Sequence, residues 1–199
     1  MDANALNVEL AGMDIYLLDQ VLKERFTPGS KVLDAGCGGG RNLAWFARNG
    51  FEVHAVDNSP RAIEKLRAAD LVPADRTHLA EITELPFADE FFDSVLGIAI
   101  FHLLPDRASF ERGLREVWRV LKPGGLMVAR LATDLSMEKF AEPLADGRHR
   151  MPGTNWDILL TSLDELLGWT ERLGAELLEP IKTVNVQNQR AMATWVMRK

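Results

Sequence analysis

The sequence predicts the α/β class, a parallel sheet covered by helices, on three observations. Short apolar strands alternate with segments at helical spacing, a glycine cluster follows the first strand, and a carboxylate closes the second. Leu10 to Phe26 carries Met13, Leu17, Leu18, Val21 and Leu22 at helical spacing, which predicts an amphipathic opening helix ended by Thr27-Pro28-Gly29. Lys31 to Ala35 is a strand running into Gly36-Cys37-Gly38-Gly39-Gly40, and Asn42 to Arg48 resumes the helical period. Glu52 to Val56 repeats the unit, with Asp57 at its end and Ser59-Pro60 as the cap and first-turn pair of a helix reaching Ala69. Thr77 to Ala80 and Phe92 to Ile98 are the third and fourth strands, Asp106 to Leu121 is a helix, and Gly125 to Leu131 is the fifth strand after the Lys122-Pro123-Gly124-Gly125 turn. Thr133 to Asn155 mixes Pro, Gly and charge without a lasting period and reads as a long excursion. Ser162-Leu163-Asp164-Glu165 is a capping box opening a helix to Leu173. Glu176 to Val186 and Ala191 to Met197 suggest a closing antiparallel pair.

The 199 residues suit one domain, and no repeat or linker divides them. Lys and Arg number 23 against 29 Asp and Glu, a net charge of −6, which argues against a broad phosphate-binding face and a nucleic-acid partner. The single cysteine, Cys37, can form neither an intramolecular disulfide nor a zinc cluster, so a reducing, cytoplasmic setting is expected. Val95 to Phe101, the longest apolar stretch, is short of the roughly 20 residues a membrane span requires. Met1-Asp2-Ala3-Asn4 lacks the basic-then-apolar layout of a secretory signal. No pair of His, Asp or Glu has metal-ligand spacing, and no metal is assigned.

The glycine cluster lets backbone approach a ligand closely and leaves amides free to bind it. Asp57, at the end of the next strand, suits the vicinal hydroxyls of an adenosine ribose. Arg41 stands where a dinucleotide fingerprint places its third glycine, which weakens a nicotinamide reading, and no Gly-Lys-Ser or Gly-Lys-Thr serves a P-loop. Asp34, just ahead of the loop, would repel a pyrophosphate but attract an ammonium group such as that of a methionine moiety.

These residues resemble the class I methyltransferases that use S-adenosylmethionine. The resemblance spans roughly Lys31 to Leu131. It rests on Leu33-Asp34-Ala35-Gly36-Cys37-Gly38-Gly39-Gly40, on Val56-Asp57, on Leu85-Pro86-Phe87 with Phe91-Phe92-Asp93, and on Leu121-Lys122-Pro123-Gly124-Gly125. It implies a Rossmann-like doubly wound sheet, mostly parallel with an antiparallel final strand and helices on both faces. By this resemblance Gly36, Gly38 and Gly40 surround the methionine portion of the cofactor, Asp57 holds the ribose hydroxyls and Asn58 lies beside the adenine. Glu81 and Ile82 fall where the family has an acidic residue, more commonly Asp, and a neighbour facing the adenine. Gly97-Ile98-Ala99 passes near the sulfonium. Gly40-Arg41-Asn42 and the closing Ala193-Thr194-Trp195-Val196-Met197-Arg198-Lys199 look like the tellurite-resistance methyltransferase branch. Residues 1–30 then form an opening helix or lid, 31–131 the cofactor-binding core, and 132–199 the substrate-side excursion with the closing helix and strands.

Methyl transfer from a sulfonium is an in-line displacement, so alignment supplies much of the acceleration, and a base is needed only where the acceptor must lose a proton. His102, after the fourth strand, is a candidate to orient or deprotonate an acceptor, set against the reading as a histidine packed beside Phe101 and Leu103. His149 lies in the basic knot Arg148-His149-Arg150, either an anion site or a solvated charge run. Tyr16 and Trp156 are lid or packing residues, and Cys37 is a small residue between glycines. The expected activity is methylation of a small-molecule acceptor. An NAD(P)-dependent oxidoreductase and a noncatalytic S-adenosylmethionine-binding module are the alternatives.

Overall fold

The computed structural model describes residues 3–10, 12–137 and 139–199. Met1 and Asp2, read above for a leader, lie outside them, as do Ala11 and Glu138. Its helices are α1 (Ala3–Leu10), α2 (Ile15–Leu22), α3 (Ala44–Arg48), α4 (Pro60–Ala68), α5 (Arg107–Val120) and α6 (Leu163–Arg172). The strands are β1 (Lys31–Ala35), β2 (Glu52–Asp57), β3 (Thr77–Leu79), β4 (Phe92–Ile98), β5 (Leu121–Ala132), β6 (Glu142–Pro143), β7 (His149–Arg150), β8 (Asp157–Ile158), β9 (Glu176–Leu177), β10 (Lys182–Val186) and β11 (Arg190–Arg198).

The main sheet runs β10-β11-β5-β4-β1-β2-β3, with β9 added beside β11. Strands β1 to β5 pair in parallel, while β11 is antiparallel to β5, β9 and β10. This is the doubly wound, mostly parallel sheet with an antiparallel end that the sequence predicts. The order reverses between β1 and β4, which leaves a crevice at their carboxyl ends. Alternate residues of each strand serve opposite faces, because side chains along a strand point to alternate sides. On β5, Leu126 and Val128 join α2, α3 and α4 through Leu17, Phe46 and Leu66. Met127, Ala129 and Leu131 join α5 and α6 through Leu114, Val117 and Trp169.

The opening segment departs from the predicted single helix over Leu10 to Phe26. A separate helix, α1, precedes it, and α2 starts only at Ile15. Gly12 has φ +76°, a left-handed conformation that halts a helix, and the Asp14 side chain accepts the Tyr16 N–H at 3.0 Å to cap the new one. The excursion also corrects the irregular reading: β6, β7 and β8 form a small antiparallel sheet with its own core of Met137, Ala141, Met151, Ile158 and Leu160. Two-residue strands carry no periodicity, so their pairing is set by tertiary contact.

Ser162 caps α6 as predicted, its Oγ accepting the Glu165 N–H at 3.0 Å, whereas the Glu165 carboxylate receives Arg107 Nη1 at 3.0 Å. Ser162→Ala removes one cap and should lower stability by about 1 kcal/mol in urea unfolding, with the slope of the transition unchanged.

Candidate functional site

The carboxyl ends of β1, β2 and β4 open on a cavity of about 630 Å³. Gly36 and Cys37 donate their N–H groups to the Val56 carbonyl at 2.8 and 3.0 Å, which folds the loop over the end of β2. Gly36 adopts φ +82°, and a Cβ there would lie 2.7 Å from Ile100 Cγ1, so the position admits no side chain. Asp57 is clamped by the loop it faces: Oδ2 accepts the Gly38 N–H at 2.8 Å and Oδ1 the Ser59 N–H at 2.9 Å. A carboxylate has about four acceptor sites, so each oxygen keeps one for a ligand. Asn58 donates Nδ2 to both Glu81 oxygens at 3.2 Å, and these two with Ile82, Gly36, Gly38 and Asp57 line the cavity.

Other predicted residues lie behind this lining. Gly40 has φ +79°, and a Cβ would meet Leu66 Cδ1 at 2.4 Å, so its lack of a side chain lets α4 pack against the loop. Gly97 and Ile98 still belong to β4: a Cβ on Gly97 would meet the Phe101 ring at 2.6 Å, and Ile98 is buried in the α2–α4 face. Of the predicted segment Gly97-Ile98-Ala99 only Ala99 lines the cavity, joined by Ile100, because residues beyond the strand end face the crevice. Ala99 adopts φ +63°, an uncommon conformation for a residue with a Cβ, and nothing in the sequence signals it.

Asp34 is fully buried at the end of β1, and neither carboxylate oxygen has a hydrogen-bond partner. Burial raises its carboxyl from an ordinary 3.8 to about 7, against the opposing pull of the Arg41 charge. A buried carboxylate without a partner is costly, and a cation delivered to it would relieve the cost. Cys37 is buried, with its thiol held well above the ordinary range chiefly by burial and next by the Asp34 charge. It is therefore an unreactive packing residue.

A second cavity of about 490 Å³ adjoins the first, and Ala99 lines both. His102, in a 3₁₀ turn after β4, lines the second. Burial and then the Arg130 charge lower the imidazole to about 4, so the ring is neutral at pH 7, with a buried, unpartnered Nδ1. His102 is buried and lines the second cavity. The basic knot runs into β7 beside the second cavity: His149 pairs with Ile158 and Arg150 precedes Met151, both of which line that cavity, while the knot's own residues do not, with Arg148 paired to Asp146 at 2.7 Å and Arg150 to Asp157. Trp156 is 70% exposed and lines the second cavity, while Tyr16 stacks beneath Arg130, 4.6 Å from ring centre to guanidinium. Among the described residues no group of three His, Cys, Asp or Glu is placed to hold a metal, and no helix is long and apolar enough to cross a membrane.

A glycine turn and a clamped carboxylate at the switch point of an open parallel sheet define a nucleoside-cofactor class of α/β protein. Residues 33–129 match the Methyltransferase domain family. The chain belongs to that family, the class I S-adenosylmethionine-dependent methyltransferases. Methyltransferase GfsG of Streptomyces halstedii is 32% identical over 157 residues, covering 76% of this chain and 54% of that protein. The chain spans about half the length of the curated relatives it matches. A SAM-dependent methyltransferase of Methanosarcina mazei is similar in structure, with a TM-score of 0.74 at 20% identity over 90% of this chain and 96% of its own. The 1,6-didemethyltoxoflavin-N1-methyltransferase of Burkholderia thailandensis, solved with 1,6-didemethyltoxoflavin and S-adenosylhomocysteine bound, has a TM-score of 0.69 at 19% identity over 96% of this chain and 79% of its own. At these identities the structural likeness concerns the fold.

Proposed function

We propose that this chain transfers a methyl group to a small-molecule acceptor, with the cofactor in the larger cavity and the acceptor in the second. The observation that carries the reading is the meeting of the two cavities at Ala99, since in-line displacement requires donor and acceptor to face each other across a short gap. S-adenosylmethionine, when bound, supplies a methyl group on a sulfonium sulfur, and S-adenosylhomocysteine remains after transfer.

The chain's own residues bind and orient. The orphaned Asp34 carboxylate fits the ammonium of the methionine portion, and the free acceptor sites of Asp57 fit the two ribose hydroxyls. Gly36 and Gly38 would bring bare backbone to the methionine portion, and Asn58, Glu81 and Ile82 line the part of the cavity that would hold the adenine. Gly40, Gly97 and Ile98 act through packing that sets the loop and the end of β4. His102 offers a neutral imidazole to orient the acceptor. His149 is left on the small sheet with its flanking arginines already paired. A net charge of −6 supports a small molecule over a nucleic acid as acceptor.

Calorimetry on the full chain should detect S-adenosylhomocysteine binding and no NADH binding. Radiolabelled S-adenosylmethionine should then transfer its methyl group to a member of a small-molecule pool. NADH binding without S-adenosylhomocysteine binding would favour an oxidoreductase. Cofactor binding without transfer to any pool would favour a noncatalytic module.

A further inference from the structure

The second cavity has a charge that the chain as a whole does not predict. Arg41 from the glycine loop, Arg130 from β5 and Arg190 from the start of β11 converge on it, and among the described residues no acidic side chain lines it. β11 runs antiparallel to β5, which brings its first residue to the carboxyl end of β5, where Arg130 lies. The nearby counter-charge is Asp14, buried beneath the site, with Oδ2 2.7 Å from Arg130 and 4.0 Å from Arg41. The three guanidinium groups have one ion-paired carboxylate among them, Asp14, while the Arg41 charge also acts on the buried Asp34, so the lining itself is positive within a protein of net charge −6.

Arg130 is held in place on two sides. Asp14 grips Nη1, the Tyr16 ring supports the guanidinium plane, and the side chain is only 15% exposed. Its Nε is nevertheless buried without a partner. Preorganised, incompletely satisfied guanidinium groups suit a carboxylate, whose two oxygens match their forked donors. Arg190 is exposed and has no ion pair among the described residues. The apolar lining comes from Met151, Pro152 and Trp156 between β7 and β8 and from Ile158 of β8. The volume is that of a small-ligand pocket.

We infer that the second cavity is a carboxylate site, in which Arg130 and Arg190 anchor an acceptor with an apolar body and one carboxylate, leaving its reacting atom toward Ala99. This rests on the methyltransferase reading, which places the acceptor there. The same chemistry has a second source, the carboxylate of the cofactor's own methionine portion. Arg41, next to the glycine loop, is the guanidinium best placed to reach it.

The test uses full-length protein saturated with S-adenosylhomocysteine, titrated calorimetrically with benzoate, 3-phenylpropionate and octanoate, each paired with its primary amide. At least one acid should bind tenfold or more tighter than its amide. Arg190→Gln, at an exposed position with no ion pair to lose, should reduce that preference at least threefold without changing S-adenosylhomocysteine affinity. Arg130→Met should abolish it, and Arg130→Lys, which keeps the charge and supports Asp14, should restore part of it. Equal binding of every acid and its amide, or binding of neither, overturns the inference. Unchanged acid preference in both Arg190→Gln and Arg130→Met overturns the assignment of the anchor. If the arginine variants weaken S-adenosylhomocysteine and no acid is preferred, the carboxylate belongs to the cofactor and the acceptor assignment falls. Failure of unmodified protein to bind S-adenosylhomocysteine at all instead removes the reading beneath it.

Discussion

Asp57→Ala should weaken S-adenosylhomocysteine at least tenfold in calorimetry, a loss of about 1.4 kcal/mol or more. The size follows from the number of hydrogen bonds at stake. Each oxygen already accepts one backbone N–H, from Gly38 and from Ser59, so the carboxylate cannot swing away and keeps its remaining acceptor sites toward the cavity. Two ribose hydroxyls donating to a charged, immobilised acceptor are each worth more than a neutral hydrogen bond. The substitution also frees the Gly38 N–H and relaxes the loop, so Asp57→Asn provides the control. It keeps one side-chain oxygen to hold the loop while removing the charge and one acceptor, and should fall between the two. Affinity unchanged in Asp57→Ala would remove the ribose assignment.

Asp34→Asn should change binding and stability in opposite directions. The native carboxyl is raised to about 7 in the folded chain, so between its ordinary 3.8 and about 7 the folded state holds a proton that the unfolded state has released. Stability therefore falls as pH rises through that window, and above it the buried charge exerts its full cost. Replacing the carboxylate with a neutral amide should stabilise the cofactor-free protein at pH 8, on the order of 1–3 kcal/mol, and flatten the pH dependence of its melting temperature. The same change removes the counter-charge for an ammonium, and S-adenosylhomocysteine affinity should drop about 10- to 100-fold at pH 8. Unmodified protein should bind the cofactor more tightly as pH rises from 6 to 8, because the ammonium requires the ionised form and displaces the proton. In Asp34→Asn that rise should vanish. A variant that binds as tightly as the original, with the same pH profile, would show that Asp34 does not meet the ammonium.

Local signals made the cofactor side of this site readable. The strand from Lys31 to Ala35, the glycine loop and Asp57 lie within 27 residues, and each has a short-range cause: apolar alternation, freedom at positive φ, and a strand end that exposes the next side chain. The Ser59 and Ser162 caps were legible for the same reason, since a cap bonds to an N–H three residues away. The acceptor side is different in kind. Asp14 and Arg130 are 116 residues apart, and only the packing of α2 against the sheet brings them within 2.7 Å. Arg148-His149-Arg150 is basic in sequence, yet Asp146 and Asp157 pair with its arginines, whereas the excess positive charge comes from three arginines that no motif connects.

By itself the sequence determined the α/β class, the glycine loop, the carboxylates at Asp34 and Asp57 and the kinship with S-adenosylmethionine-dependent methyltransferases, because those depend on residues close along the chain. Tertiary structure alone decided that, of the segment Gly97-Ile98-Ala99, only Ala99 lines the crevice, with Ile100 beside it. It also made the excursion a small sheet and drew Arg41, Arg130 and Arg190 to one cavity. The reason is physical: a charge or a cavity wall takes its effect from neighbours in space, and here those neighbours come from strands far apart in sequence that the doubly wound sheet places side by side.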